Sequence, residues 1–382
     1  MSWDKVKLAD CCLSISDGDH QPPPKAVSGV PFVTIANINK SNQFDFSDTM
    51  FVPKDYYDRL DLKRKAQVGD ILYSVVGSFG IPVLIKEERP FVFQRHIAIL
   101  RPNERINSAF LYYTMLSRDF YAKADAAAIG AAQRTVSLTS LRGMEIELPP
   151  LKVQEAIASK LSVYDNLIEN NQKQIKLLEE AARRLYKEWF VNFRFPGYED
   201  TPIVDGVPEG WEDGTLGDIA VFKRGKTITK AQVSDGNIPV VAGGLEPAYY
   251  HNKANTTAPL ITVSASGANA GFTRLYNIDV FASDCSYIDR NSTPFLLFVY
   301  CFLKTNAMKL NSLQKGSAQP HVYAKDLNAL VLSVPSEGVL TAFCGIVSPY
   351  FERIRLLQRE NEIAAEARDR LLPKLMSGEI EV

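Results

Sequence analysis

No stretch of about 18 apolar residues occurs anywhere in the chain, which excludes a membrane-spanning helix of ordinary hydrophobic length. The opening residues MSWDKVKLADCC lack the charged-then-apolar pattern of an export leader, so a cytoplasmic protein without a membrane partner is expected. Cysteine is scarce and odd in number. Cys11, Cys12, Cys285, Cys301 and Cys344 form no CxxC and have no histidine at zinc spacing, which argues against a disulfide framework or zinc module and for reduced structural thiols. The four histidines, His20, His96, His251 and His321, are scattered without metal-ligand spacing, and no Ser/His/Asp order stands out. Charge of one sign is also missing. With 43 Lys plus Arg against 44 Asp plus Glu, the formal net charge is −1, so the overall sum carries no basic signature of a nucleic-acid binder. That sum leaves open a clustering of the basic residues on one face.

What is present is enough apolar material, 46% of 382 residues, to fill the cores of two or more folded domains. The second half of the chain also restates the first, a long-period repeat that takes priority over any local signal. The segment that starts at Phe110 and closes at Pro149 answers the one that starts at Phe295 and closes at Pro335. Gln133 falls on Gln319, Leu141 on Leu327, Pro149 on Pro335, Tyr164 on Tyr350 and Leu185 on Leu371, a constant separation of 186. Earlier marks match more loosely: Trp3 and Trp211 are 208 apart, Gly77 and Gly267 are 190 apart. The first half therefore carries added length, expected to include the DGDHQPPP stretch from Asp17.

Each half opens with short β-like runs broken by Gly, Pro and Asn, among them PFVTIANI, DILYSVV and HIAIL, then a short helix and an apolar strand ending in proline. This reads as an irregular α/β (mixed α+β) globule. An amphipathic helix follows. In the first half its apolar side falls at Ile157, Leu161, Tyr164, Ile168, Asn171, Ile175, Leu178, Ala182, Leu185 and Trp189, in steps alternating 4 and 3. That 3.5-residue period is a coiled-coil seam, narrower than the stripe of a globular helix. The repeat-related seam runs Phe343, Val347, Tyr350, Ile354, Leu357, Asn361, Ala364, Arg368, Leu371 and Leu375. Pro349 and Pro373 each remove an amide donor and crowd the carbonyl four residues earlier, so a kink or division is expected there. Two equivalent helices in one chain can bury these seams antiparallel about a pseudo-twofold axis, which would set Asn171 opposite Asn361 as a register-fixing polar pair.

Two variable globules, each ending in a G-x-x-Q turn, an apolar strand closed by proline and a coiled-coil helix, resemble the specificity (S, HsdS-type) subunits of type I restriction-modification systems. The resemblance spans essentially the whole chain. It rests on Gly130 to Gln133 through Leu148-Pro149-Pro150 and Gln154-Glu155, on Gly316 to His321 through Val334-Pro335, and on the glycine turns Gly77 to Gly80 and Gly267 to Gly271. The second copy departs from the first, with Val-Pro-Ser replacing Leu-Pro-Pro and no Gln-Glu following. The likeness implies target recognition domains at 1–150 and 196–335, a central helix at 151–195 and a C-terminal helix at 336–382. It further implies that each head reads half of a split, asymmetric double-stranded DNA target, that the helices space the heads and dock two methyltransferase (M) subunits, and that restriction (R) subunits join the full complex. S-adenosylmethionine would then belong to the methyltransferase partners, with no cofactor and no metal on this chain.

Chemistry on the chain itself finds little support. Base methylation uses a [DN]PP[YFW] turn, and none occurs; Pro149-Pro150, flanked by leucines, reads as a strand stop. GSFG and GANAG lack the Lys-Ser/Thr of a phosphate loop and the full dinucleotide fingerprint. Recognition from loops on a rigid scaffold remains, where Arg or Lys grip guanine, Gln or Asn grip adenine, and amides hold phosphate. The candidates in the first head are Asp17, Gly18, Asp19, His20, Gln21, Arg95, His96, Gln133 and Arg134. In the second they are Lys223, Arg224, Lys226, Ser266, Asn269, Gln319 and His321. Each of these is also explicable as a solvated or turn-stabilising side chain. The competing readings are a tandem-repeat coiled-coil scaffold that binds proteins and no DNA, and a degenerate methyltransferase fold that binds S-adenosylmethionine by itself. If the helices act as a ruler, inserting four residues into the central helix adds about 6 Å. Methylation mapping should then show the unread gap in the target lengthened by one or two base pairs; an unchanged gap would refute the ruler.

Overall fold

A computed structural model describes residues 3–20, 22–39, 41–131, 133–315 and 320–382. Gln21 and Gln319, and Ala132 and Gly316 to Ala318 of the glycine–glutamine turns, lie outside the described residues. The chain forms two compact units, one of residues 1–171 with 359–382 and one of residues 172–358. Each holds one globular head and parts of two 40-residue helices.

The first head contains β1 (Asp4–Lys7), β2 (Cys12–Asp17), β3 (Val30–Val33), β4 (Met50–Val52), α1 (Lys54–Asp58), β5 (Ile71–Ser74), β6 (Pro82–Leu84), β7 (Val92–Phe93) and β8 (Ile97–Pro102). α2 (Ser108–Leu116), α3 (Arg118–Ala127), α4 (Leu138–Gly143) and β9 (Glu145–Leu148) follow. An antiparallel sheet of order β2-β8-β5-β6 lies beside a mixed sheet of order β4-β3-β7, in which β3 and β7 are parallel. β5 and β8 read as unbroken apolar runs because alternate side chains serve two cores. Ile71, Tyr73, Ala98 and Leu100 join Phe110 and Tyr113 of α2, while Leu72, Ile97 and Ile99 join Val33 and Phe93. Asn107, Ser117 and Ser137 cap α2, α3 and α4 with side-chain oxygens that accept from amides three residues on. β1 pairs antiparallel with β9, so the head's entry and exit strands lie side by side.

The long helix α5 (Leu151–Phe190) leaves the first head, and the hairpin of β10 (Ile203–Val204) and β11 (Val207–Pro208) precedes the second. The second head is built from β12 (Glu212–Thr215), α6 (Leu216–Ile219), β13 (Lys223–Arg224), β14 (Ile238–Val241), β15 (Tyr249–His251), β16 (Leu260–Ser264), β17 (Thr273–Tyr276), β18 (Phe281–Ala282) and β19 (Cys285–Asp289). α7 (Leu296–Thr305), α8 (Ala307–Ser312), α9 (Ala324–Asn328), β20 (Val331–Val334) and the long helix α10 (Glu337–Met376) complete the chain. The sheet orders β13-β19-β16-β17 and β15-β14-β18, and the β12–β20 pair, reproduce the first head strand for strand. The added length of the first head does not lie where the sequence suggested. The chain from Asp17 to Val30 matches that from Arg224 to Ile238 closely in length. The extra residues fall between Val33 and Met50 and between Val52 and Ile71, the latter including α1, against short links from Val241 to Tyr249 and from His251 to Leu260.

The helix faces are wider than a seam. Ile157, Leu161, Ile168, Asn171, Ala182 and Trp189 on α5 are buried, as are Phe343, Val347, Ile354, Leu357, Ala364 and Leu375 on α10; Tyr164, Ile175, Leu178, Leu185, Tyr350, Asn361 and Leu371 are half-buried. Ala158, Tyr186, Leu340, Phe351 and Leu372, off the 4–3 pattern, are buried as well, because each head packs onto the helices beside their mutual contact. α10 runs unbroken through Pro349 and Pro373, contrary to a division there. Both prolines, and Gly345 and Asp369 four residues before them, face solvent, which can take up the freed carbonyls.

The expected Asn171–Asn361 pair does not form. Asn171 Nδ2 donates to Glu360 Oε2 at 2.8 Å, and the shielded Oδ1 of Asn361 has no hydrogen-bond partner. A stronger polar link lies two turns away, where Asp165 of α5 accepts from Arg368 of α10 and from the Tyr113 hydroxyl of α2 at 2.7 Å. Burial works against the charge of Arg368, but the hydrogen bonds and charges of Asp165 and Asp369 outweigh it and hold the guanidinium above its ordinary pKa. Asp165 and Arg368 side chains are only 15% and 16% exposed. At the repeat-related helix positions of the second unit stand Phe351 and Ala182, both buried and apolar. Breaking the pair as Arg368→Ala should cost about 3 kcal/mol of unfolding free energy, as for other buried ion pairs. Asp165→Phe combined with Arg368→Ala, the composition of the second unit, should recover most of that loss in urea unfolding.

Candidate nucleic-acid interface

In the first unit the candidate residues gather at one end of the β2-β8-β5-β6 sheet. β2 ends at Asp17, paired across from Ala98, and Ser74 at the end of β5 lies opposite Ile97. Beyond the strand end the Gly18 amide donates to Ile97 O at 3.1 Å, the Asp19 amide to Phe93 O at 2.9 Å, and the Arg95 amide to Asp19 O at 3.1 Å. His20 Nε2 meets the Asp17 carboxylate at 2.8 Å. His96 is held by its carbonyl, which accepts from the Val75 amide at 2.9 Å. Gly18 is required here, because a Cβ would sit 2.2 Å from Phe93 O.

The same edge receives the segment Ile129–Thr135, whose ends bond to each other and whose Thr135 bridges Val76. Gly77, at φ +70, donates its amide to Arg134 O at 2.9 Å, and the Gln133 amide group lies beside that glycine. Arg134 is exposed, ion-paired with Asp125 and placed over the Phe79 ring, which stacks on Tyr121 at 5.8 Å. Asp17, Gly18, Asp19, His20, Arg95, His96, Gln133 and Arg134 thus share one edge.

The second unit repeats this frame. Arg224 ends β13 opposite Ser286, the Gly225 amide donates to Cys285 O at 2.8 Å, and the Lys226 amide to Ala282 O at 2.9 Å. A Cβ on Gly225 would sit 2.3 Å from Ser283 O. Gly267, at φ +78, donates to Pro320 O at 3.0 Å, and His321 bridges both Ser266 and Lys315. The matched bonds make Asp17, Gly18 and Asp19 the structural counterparts of Arg224, Gly225 and Lys226, and His96 that of Asp284, whose carbonyl accepts from Ala265. The Arg224 guanidinium donates to Asp284 Oδ1 at 2.7 Å, and the Ser266 hydroxyl donates to the other carboxylate oxygen. His321 stacks on Tyr323 at 5.9 Å, with Lys325 over the same ring.

Not every candidate joins this cluster. Lys223 pairs with Tyr287 one step back along the strand, and Asn269 ends the short turn after Gly267, its carbonyl accepting from Phe272. Asp284, Asp125, Phe79 and Tyr323 were missed by sequence reasoning. Asp284 follows β18, the counterpart of β7, but a single carboxylate beside Cys285 carries no local mark in the sequence. Burial pushes the neighbouring Cys285 thiol up to about 12, so it stays protonated. All five cysteines are free. Among the described residues no group of three His, Cys, Asp or Glu is placed to hold a metal ion, and no helix is long and apolar enough to cross a membrane.

Two heads built on one frame each present a different set of polar side chains from the same edge, and each closes onto long helices. The chain belongs to the family of type I restriction modification DNA specificity domains, whose profile matches residues 2–180 and 208–363. It is 25% identical over 340 residues to the type I restriction enzyme MjaIX specificity subunit of Methanocaldococcus jannaschii, with 82% of this chain and 78% of that one covered. It is also 25% identical over 406 residues to the putative MjaX specificity subunit of the same organism, covering 100% and 94%. Among solved structures, the S subunit of a type I restriction-modification system from M. genitalium shares the fold at a TM-score of 0.57 and 18% identity, over 98% of this chain and 96% of that one.

The two pinned glycines give a direct check on this frame. Gly18→Ala or Gly225→Ala forces the strand end away from the adjoining carbonyls and should lower unfolding free energy by about 2 kcal/mol. Gly143→Ala, where a Cβ meets nothing within 4 Å, should be neutral in the same denaturation series.

Proposed function

We propose that this chain is the non-catalytic specificity subunit of a type I restriction-modification enzyme. In this reading the heads at 1–150 and 196–335 read the two unequal halves of a split double-stranded DNA target. The helices carry two methyltransferase subunits, which bring S-adenosylmethionine, and restriction subunits join the full cytoplasmic complex. The observation that carries it is the duplicated edge: one backbone frame, fixed twice by the same amide-to-carbonyl bonds, bearing Asp-Gly-Asp in one head and Arg-Gly-Lys in the other. A structural repeat kept for stability alone has no need to vary the polar side chains on a repeated frame, whereas two readers of different sequences do. Family membership favours this over a scaffold that binds proteins and no DNA.

The experiment is to express the chain with its partner subunits and map methylated bases in host DNA by single-molecule sequencing. A bipartite motif is expected, and replacing residues 1–150 with a related head should change one half of it and leave the other intact. A stable complex that adds no methylation and shows no sequence preference in DNA binding would turn the assignment toward a scaffold.

A further inference from the structure

Resting on that reading, we infer that Asp17 and Arg224 are base-reading positions of opposite polarity: Asp17 accepts from the exocyclic amine of a cytosine, and Arg224 donates to the acceptor edge of a guanine. The two residues occupy one place in one frame. Each is the last residue of the outer strand of its sheet, followed by a glycine whose amide is bonded across the sheet and whose missing Cβ lets the backbone lie against a carbonyl. Their backbones are therefore fixed alike, while the charge is inverted, and it is inverted again one residue beyond the glycine, where Asp19 corresponds to Lys226.

Phosphate is negative everywhere along a duplex, so a position that holds the DNA backbone should be basic in both heads. An acid at this place in the first head fails that requirement and fits an amino group instead. In the major groove a carboxylate accepts from cytosine N4, and an arginine spans guanine O6 and N7. The neighbouring groups leave both side chains able to do this. Arg224 is 45% exposed and spends part of a five-donor guanidinium on Asp284, which orients the rest. Asp17 is 21% exposed and shares a carboxylate of about four acceptor sites with His20.

The test uses the chain in complex with its partner subunits, with motif mapping and competition binding to duplexes that differ at one base pair. The native motif should hold a guanine in the half lost on exchanging the second head and a cytosine in the half lost on exchanging the first. Arg224→Gln should cut discrimination at that guanine roughly tenfold or more and leave the other half unaltered; Asp17→Asn should do the same at the cytosine. Variants that discriminate like the native complex at every position overturn the inference, and so does equal weakening toward all duplexes, which marks a phosphate contact. If Arg224→Gln abolishes binding, the native complex decides: a duplex with 7-deazaguanine at that position lacks the N7 acceptor and should bind several-fold more weakly, and unaltered binding overturns the inference. A native complex with no bipartite motif would instead sink the functional reading beneath this one.

Discussion

Neither head completes its own hydrophobic core. In the second unit, Tyr186, Trp189 and Phe190 of α5 and Phe343 of α10 interlock with Phe298 of α7 and Trp211, with Phe190 4.8 Å from Phe298 and 5.0 Å from Phe343. Each such edge-to-face contact contributes about 1 kcal/mol beyond the area it buries. In the first unit Ile157 and Leu161 of α5 and Leu372 and Leu375 of α10 close the cluster around Phe110, Leu111 and Leu141. Each candidate edge is therefore carried on a body whose interior includes both long helices, and the edge cannot tilt on them without opening that interior. The buried Gln154 adds a polar joint at the start of α5: it accepts from the Asn107 amide at 2.8 Å and donates to the carbonyls of Pro149 and Arg105. The second unit has Leu340 at this point, inside its apolar core.

The sequence was informative where burial imposes a period and poor where contact depends on distant residues. The repeat and the helical seam were legible because both follow from spacing, and strands such as HIAIL were legible as apolar runs. The width of the buried helix faces was not, since Tyr186 and Phe351 are buried by heads that no heptad count includes. The polar contact was missed by one residue, with Glu360 taking the place of Asn361 as the partner of Asn171. Proline-rich composition misplaced the added length of the first head, which lies between Val33 and Met50 and between Val52 and Ile71.

At the candidate edge, the glycine turns and the Asp17 and Arg224 strand ends were visible as motifs, and their convergence was not. Arg224 and Asp284 are 60 residues apart in the chain yet hydrogen-bonded, and Thr135 reaches Val76 across almost as many. Only when the amide-to-carbonyl bonds of both heads are matched does the exchange of acidic for basic side chains emerge. The near-zero net charge then has a local counterpart, since acids and bases are both placed on the candidate edges.

The pairing of β1 with β9, and of β12 with β20, closes each head at its base. The entropy of holding such a closure rises only with the logarithm of the chain enclosed, so doubling an internal loop adds about 0.6 kcal/mol. Residues can therefore be gained or lost between Val33 and Ile71 while the stem strands, and the helices that follow them, keep their register. A fold of this kind lets those loops grow at little thermodynamic risk to the stem strands and the helices.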